Sequence, residues 1–419
     1  MTKPIPLLSL FFLCAGLLCA GLADAQPRSN PDFAVYAGHQ DSLFIDAYEQ
    51  RDTTRYERML SEFEEKFNRL TPSDQKKYAA NRSSAYYNLS CTYGILGRKQ
   101  PALDWLEKAI RAGYSNYPHM LVDRDLVSIR DEERFAVLLA PLRETNDYLY
   151  ILGKAGRYND RDTRPLPRFT YQPADDPNLV SLRKTLKLDS VAGGGDEVSR
   201  VLNLLHWMHN QVPHDGNGSN PEVKNALNMI TVCKRDHATL NCRGLAIALN
   251  ECYLSLGIPA RYLTCQPKDS LKVDPDCHVI NIVYLRSLRK WVWVDPTNDA
   301  YVMNEKGELL GPEEVRQRLI DHRPLILNPD ANWNHRSTVV KEEYLYSYMA
   351  KNLYLLQCPV ESRYDLETFE AGKTYTYVQL LPLDYFAQGP DKSERDYGAG
   401  KGRMVNYHTN DPGKFWAAP

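Results

Sequence analysis

Hydrophobic and polar positions repeat with a helical period near the middle of the chain, and apolar runs of a different kind follow directly. Apolar residues recur at spacings of three and four between Leu245 and Leu256, which predicts a helix over 242–257 with one buried stripe. Gly257 and Pro259 then end the helix. Three short runs rich in β-branched and aromatic residues predict strands at 260–264, 278–284 and 291–295. The pattern therefore predicts a helix beside antiparallel strands that are joined by tight turns.

In the first part of the chain, hydrophobic residues repeat only with the helical period. The segments 86–97 and 101–110, with the small Ala102 and Ala109 seven residues apart, resemble a single tetratricopeptide repeat unit. One such unit cannot bury its own apolar face, so 43–70 is expected to pack as a further helix pair. We therefore predict a helical repeat-like module over 41–150, which either binds a protein partner or caps the domain behind it.

Two stretches with little periodicity separate the predicted units. Residues 26–40 are expected to be a linker, and 151–195 is rich in proline and glycine and is expected to be a second linker. After residue 325, tyrosines alternate with polar residues, which predicts half-exposed strands and a β-rich extension over 326–419. This extension is expected to pack on the core and frame its cleft, although tyrosine-rich strands also hold sugars or peptides by stacking.

Composition narrows the class of protein. The chain has 419 residues, 43% of them hydrophobic and 25% charged, which is ordinary for a soluble globular protein of two or three domains. A formal net charge of −2, with no block of lysine or arginine, gives no reason to expect a nucleic-acid or anionic-membrane partner.

The first 25 residues have the pattern of an export signal. Lys3 precedes an apolar run over 6–22, and Ala23-Asp24-Ala25 is a small-x-small cleavage site before Gln26. Leucines stand before Cys14 and Cys19, where a lipoprotein needs a small residue, so lipidation is the less favoured reading. No other stretch approaches about 18 continuous apolar residues. The mature chain is therefore expected to be periplasmic or secreted, with no membrane span.

Three residues stand in settings suited to nucleophilic catalysis. Cys242 lies in the first turn of the predicted helix, where the helix dipole and free backbone N–H groups favour the thiolate. His278 begins one predicted strand and Asp295 ends the next, so their side chains can meet at one edge of the sheet. Each residue alone is more often a packed cysteine, a strand-end histidine or an Asp-Pro turn. Together they predict a nucleophile, its base and the group that orients the base.

The residues around these three form a recognisable series. It runs through Asn-Cys-x-Gly-Leu-Ala at 241–246, Leu-Gly-Ile-Pro-Ala-Arg-Tyr at 256–262, Cys-His-Val-Ile-Asn-Ile-Val-Tyr at 277–284 and Lys-Trp-Val-Trp-Val-Asp-Pro-Thr at 290–297. The series resembles the core of the transglutaminase-like superfamily, a papain-related fold, over 198–319. This resemblance implies an α+β catalytic domain over 196–325, with a cysteine helix on an antiparallel sheet, Cys242 as nucleophile, His278 as base and acid, and Asp295 as its orienter.

The resemblance also implies acyl transfer through a thioester, with a peptide or protein as substrate. One oxyanion donor is expected to be the backbone N–H of Cys242 at the helix start. A second donor is implied upstream, where Gln211 and His214 are the candidates, although both also fit a polar helix end or loop. The sequence leaves hydrolysis and transamidation both open. It also leaves open a non-catalytic protein- or glycan-binding module built on the same fold.

We predict no metal and no cofactor. Cys265, Cys277 and His278 lack a C-x-x-C pair, and His206 and His209 belong to no His-Glu-x-x-His pattern. Seven cysteines remain after cleavage of the export signal. Cys265 and Cys277 end and begin neighbouring predicted strands, so they form either a disulfide or two separate thiols.

Overall fold

A computed structural model describes residues 31–268, 276–386, 391–398 and 402–419. The predicted export signal at 1–25 lies outside these residues. Within them, no helix is both long enough and apolar enough to cross a bilayer.

Helices make up the described chain from residue 31 to residue 154. They are α1 Pro31–Glu49, α2 Thr53–Asn68, α3 Pro72–Lys77, α4 Ala79–Ile95, α5 Lys99–Arg111, α6 Tyr117–Val122, α7 Glu133–Asn146 and α8 Tyr148–Lys154. Their shared core is strongly aromatic, with Phe44 stacked on Tyr56 at 4.7 Å between ring centroids and Phe63 fully buried. Residues 31–40, expected to be linker, begin α1 because Phe33 and Ala37 bury in this core.

Five helices precede the sheet. They are α9 Pro177–Thr185, α10 Leu188–Ala192, α11 Glu197–His209, α12 Ala226–Asp236 and α13 Cys242–Ser255. The predicted linker at 151–195 therefore differs from the structure, which places α9 and α10 inside it. Leu179, Leu182 and Leu188 are fully buried in the core that also holds α13. Proline and glycine mark helix ends here, with Pro177 in the first turn of α9 and Gly193 at φ +71° after α10.

One mixed sheet of nine strands runs through the rest of the described chain, and its strands lie side by side in the order 392–396, 403–409, 374–380, 355–359, 260–266, 278–285, 290–295, 300–303 and 326–327. The strands of the predicted core are β2 Ala260–Gln266, β3 His278–Leu285 and β4 Lys290–Asp295, numbered after the short strand β1 Thr170–Tyr171. They pair antiparallel, with Cys265 opposite His278 and Val294 opposite Asn281. The predicted α+β class is confirmed, with α13 packed against β2 and β3.

Short elements complete the sheet and cover its ends. They are β5 Ala300–Met303, α14 Pro312–Ile320, β6 Ile326–Leu327, β7 Asn332–Trp333, β8 Ser337–Thr338, α15 Lys341–Glu343, a π-helical turn Tyr344–Met349, α16 Ala350–Asn352, β9 Leu355–Pro359, β10 Glu361–Ser362, β11 Thr374–Leu380, α17 Leu383–Phe386, β12 Lys392–Asp396, β13 Arg403–Thr409 and α18 Pro412–Phe415. The expected β-rich extension is thus continuous with the sheet of β2, β3 and β4, through β9, β11 and β13.

The tyrosines at 344–348 are helical, so the strand predicted there is wrong. An alternation over only five residues does not separate the two periods, because Tyr344 and Tyr348 are also four apart and lie on one helix face. The final aromatic pair docks on the sheet: Phe415 is fully buried, and the Trp291 indole N–H donates to the Trp416 carbonyl at 3.1 Å.

Candidate active site

The first turn of α13 presents Cys242 at a capped helix start. The side-chain oxygen of Asn241 caps the helix by accepting from the Gly244 N–H at 3.1 Å. Asn220 holds this cap, since its amide donates to Asn241 Oδ1 at 2.7 Å and its oxygen accepts from the Asn241 N–H at 3.1 Å. A side chain at Gly244 would place Cβ only 2.4 Å from the Asn220 oxygen, so it would push Asn220 away from the cap. Cys242 is therefore held, half-buried, where backbone N–H groups are free.

His278 lies between Cys242 and Asp295. Its Nε2 is 2.7 Å from Asp295 Oδ2, and its ring lies close enough to Cys242 for each group to shift the pKa of the other. Burial would lower the pKa of His278, but the charge and hydrogen bond of Asp295 outweigh it and raise that pKa. Burial likewise would raise the pKa of Cys242, but hydrogen bonds from His214 and His278 lower it to about 6. This arrangement favours a thiolate–imidazolium pair at neutral pH.

Asp295 is fully buried and is held by donors on every side. Beyond His278, it accepts from the Thr297 backbone N–H at 2.9 Å, the Asn298 amide at 3.0 Å and the Tyr344 hydroxyl at 2.6 Å. Burial alone would raise the pKa of Asp295, but His278 and these donors lower it instead. The carboxylate therefore stays ionised behind the histidine. Tyr344 and Asn298 did not emerge from the sequence, although Asn298 follows the Asp-Pro-Thr series directly.

Removal of the Tyr344 hydroxyl tests whether the hydrogen-bond donors around Asp295 support the site. We expect Tyr344→Phe to slow acylation of Cys242 by p-nitrophenyl acetate about 3- to 10-fold, because one hydrogen bond to the buried carboxylate contributes about 1 kcal/mol. Tyr346→Phe is the matched control, since Tyr346 lies in the same helical turn with its ring over Lys341. Equal rates in the two variants would show that the hydroxyl does not act through Asp295.

His214 lies beside Cys242, whereas Gln211 is engaged elsewhere. The His214 ring lies close enough to Cys242 to lower the pKa of its thiol, and the backbone explains this proximity. Residue 214 forms a parallel bridge with Leu240, two residues before the cysteine, so the two segments run side by side. Gln211 instead donates to the Trp207 carbonyl at 2.8 Å and accepts from Lys234 at 2.6 Å. Of the two candidates, only His214 thus lies beside Cys242.

The other candidate histidines and cysteines have separate roles. His206 pairs with Asp299 at 2.7 Å, while both ring nitrogens of His209 are occupied, by the Pro296 carbonyl and by Asn332. The described cysteines, Cys265 and Cys277 among them, are free thiols.

One group of described residues has metal-ligand types close together, in the helical module rather than at the candidate site. It contains Cys91, Asp123 and Asp125. Asp123 already accepts a hydrogen bond from the Tyr87 hydroxyl, and Asp125 accepts one from the Tyr48 hydroxyl. Asp123 also lies 3.2 Å from His119 Nε2. These contacts describe a satisfied polar cluster of the helical core.

Known proteins resemble parts of this chain. Residues 184–296 match the family described as the transglutaminase-like superfamily. A chloroplast protein of Arabidopsis thaliana is 32% identical over 92 residues, 22% of this chain and 25% of that protein. A crystal structure described as "a Putative Cysteine Protease" from Cytophaga hutchinsonii is 19% identical, with a TM-score of 0.23, and the match covers 38% of this chain and 57% of that one.

These matches are local. The chain spans a quarter of the curated relative and 57% of the solved structure. The family match, in contrast, includes Cys242, His278 and Asp295 together with the helix and strands that bring them into contact. The part of this α+β chain that resembles the transglutaminase-like superfamily is thus residues 184–296.

Proposed function

We propose that this protein is an exported cysteine enzyme that transfers acyl groups from peptide or amide substrates through a thioester on Cys242. The observation that carries the proposal is Cys242 at a capped helix start beside His214 and His278, with His278 Nε2 2.7 Å from the fully buried carboxylate of Asp295. Such a pair supplies a nucleophile and a proton donor before any substrate arrives. Export rests on the pattern at 1–25.

The mechanism follows from these positions. The Cys242 thiolate attacks the carbonyl carbon, and the carbonyl electrons move to oxygen as the S–C bond forms. In this proposal the Cys242 backbone N–H, at the helix start, and His214, beside the sulfur, donate to that oxyanion. His278 then gives its proton to the leaving amine as the C–N bond breaks, which leaves the thioester. An incoming water or amine loses a proton to His278, attacks the thioester and releases the thiolate.

Of the two outcomes, we favour hydrolysis. Water is present at about 55 M and competes with any amine acceptor unless the enzyme binds that acceptor beside the thioester. Hydroxylamine added to the acetyl-enzyme measures the competition directly, because product partitioning then gives the ratio of amine to water attack.

The pH dependence of Cys242 alkylation separates an enzyme from a binding module. Since the pKa of Cys242 is lowered to about 6, its iodoacetamide rate is expected to fall only below that pH and to be nearly constant above it. An ordinary thiol, with a pKa of about 8.5, would instead gain about tenfold per pH unit between about pH 5 and 8. Mass spectrometry of the Cys242 peptide reads the rate at this residue, and Cys277 in the same sample is the internal control, since burial raises its pKa to about 11.

A profile for Cys242 like that of an ordinary thiol would favour the alternative, a non-catalytic module that binds protein or glycan. An alkylation midpoint near pH 6, together with acylation of Cys242 by p-nitrophenyl acetate, would support the enzyme. The helical module would then be a site for a protein partner or a cap, and neither role is needed for the chemistry.

A further inference from the structure

A short hairpin after the family match reaches back to the active site. Strands β7 and β8 pair Trp333 with Ser337, and the Arg336 N–H donates to the Trp333 carbonyl at 2.9 Å, which closes a tight turn. Asn334 and His335 form this turn with φ +53° and +55°, the left-handed region that glycine usually occupies. Two successive non-glycine residues there cost about 1 kcal/mol or more each, so other contacts must hold the turn.

Those contacts converge on His214. The Trp333 indole N–H donates to His214 Nδ1 at 3.0 Å. Asn334 binds the backbone of the same residue twice, with its oxygen accepting from the His214 N–H at 2.7 Å and its amide donating to the His214 carbonyl at 2.8 Å. The hairpin therefore fixes both the main chain and the ring of the histidine that touches the nucleophile.

The direction of the Trp333 bond decides which proton His214 carries. An indole nitrogen is only a donor, so His214 Nδ1 must accept and cannot hold a proton. The ring is then neutral, with its single proton on Nε2, the nitrogen that remains to donate towards Cys242. In this state His214 donates a hydrogen bond without competing with His278 for the role of base.

The same hairpin also reaches the other side of the site. The Asn332 N–H donates to the Asn298 carbonyl at 2.9 Å, and the Asn298 amide donates to Asp295 at 3.0 Å. The hairpin is thus a bridge between the segment that holds His214 and the segment that holds the carboxylate.

We propose that Trp333 and Asn334 are positioning residues that hold His214 as a neutral Nε2–H donor to the Cys242 sulfur and to the oxyanion formed on acylation. The inference rests on the proposed function, and it assigns a task at the site to residues that lie beyond 184–296. His214 then acts as donor, and Trp333 and Asn334 act through it.

Trp333→Phe is the central test, because phenylalanine keeps an aromatic ring but cannot donate to His214 Nδ1. We expect the Cys242 iodoacetamide rate at about pH 6 to fall about 5- to 10-fold and its midpoint to move up by about one pH unit. The kcat for p-nitrophenyl acetate should fall more than KM changes, since the oxyanion donor acts mainly in the transition state.

Two further variants separate positioning from general damage. Asn334→Gly removes the side-chain contacts with the His214 backbone, yet glycine adopts the left-handed conformation without strain. It should therefore move the Cys242 alkylation midpoint in the same direction as Trp333→Phe. Trp416→Phe is the matched control, since its buried indole N–H has no acceptor among the described residues. The other ionisable groups near the Cys242 sulfur are common to all these variants: His278, Arg243, Cys265, Cys277 and Tyr348.

A double-mutant cycle gives the decisive readout. In a His214→Gln background the amide donates without a choice of tautomer, so Trp333→Phe should have little further effect there. If the Cys242 alkylation midpoint is near pH 6 in the wild type, and if Trp333→Phe and Asn334→Gly leave it unchanged as Trp416→Phe should, then the positioning role is wrong and the proposed enzyme stands. If wild-type Cys242 behaves as an ordinary thiol, both proposals are wrong. Circular dichroism and urea unfolding accompany each variant.

Discussion

Cys242→Ala is expected to abolish acyl transfer and to change the free energy of unfolding by less than about 1.5 kcal/mol. The activity is lost because no other described thiol lies at a helix start beside both His214 and His278. The stability change is small because the Cys242 side chain is small and only half-buried, at the edge of the core that it packs against. Burst kinetics with p-nitrophenyl acetate and urea unfolding measure the two quantities.

Cys233→Ala provides the contrasting control. Cys233 is buried in α12 and its thiol faces the Thr239 carbonyl at 3.7 Å, while burial and the charge of Asp236 raise its pKa. Cys233→Ala should therefore be less stable than the wild type but should keep the kinetic burst with p-nitrophenyl acetate. A Cys242→Ala protein with a normal burst and a large loss of stability would show that Cys242 is a packing residue and that the catalytic assignment is wrong.

The local settings of Cys242, His278 and Asp295 were visible in the sequence because each depends on residues close by in the chain. A helical period that begins at Cys242 places that cysteine in the first turn, and Gly257 and Pro259 fix the other end. Two strands joined by a four-residue turn can only pair antiparallel, which brings the start of one beside the end of the next. The catalytic roles of the three remain predictions that the variants test.

The surroundings of these residues depend on contacts that no local pattern records. Tyr344 reaches Asp295 across 49 residues, and Trp333 reaches His214 across 119. The choice between Gln211 and His214 turned on the bridge to Leu240, a pairing outside the predicted sheet. The alternation of tyrosines at 344–348 pointed to a strand, because a run that short fits both periods.

Asp295→Asn is expected to keep the fold but to slow acylation by about 10² to 10⁴, which corresponds to about 3 to 6 kcal/mol of barrier. The asparagine has nearly the same volume, but it removes the charge that favours a protonated His278. Its amide also presents hydrogens where the carboxylate accepts from Tyr344 and Asn298, so stability should fall by about 1 to 3 kcal/mol. A preformed thiolate–imidazolium pair depends less on the third member than a serine triad does, which explains the wide range.

The pH profile distinguishes a loss of orientation from a loss of structure. In Asp295→Asn, no charge at position 295 opposes the effect of burial, which lowers the pKa of His278. The Cys242 thiolate then loses its cationic partner, so the alkylation midpoint of Cys242 moves up. A variant that is only less stable keeps the wild-type midpoint whenever it is folded, as circular dichroism would report. His278→Ala should slow acylation at least as much as Asp295→Asn. Near-wild-type acylation by Asp295→Asn, with an unshifted midpoint, would mean that the carboxylate only shapes the Asp-Pro turn and that the triad does not operate.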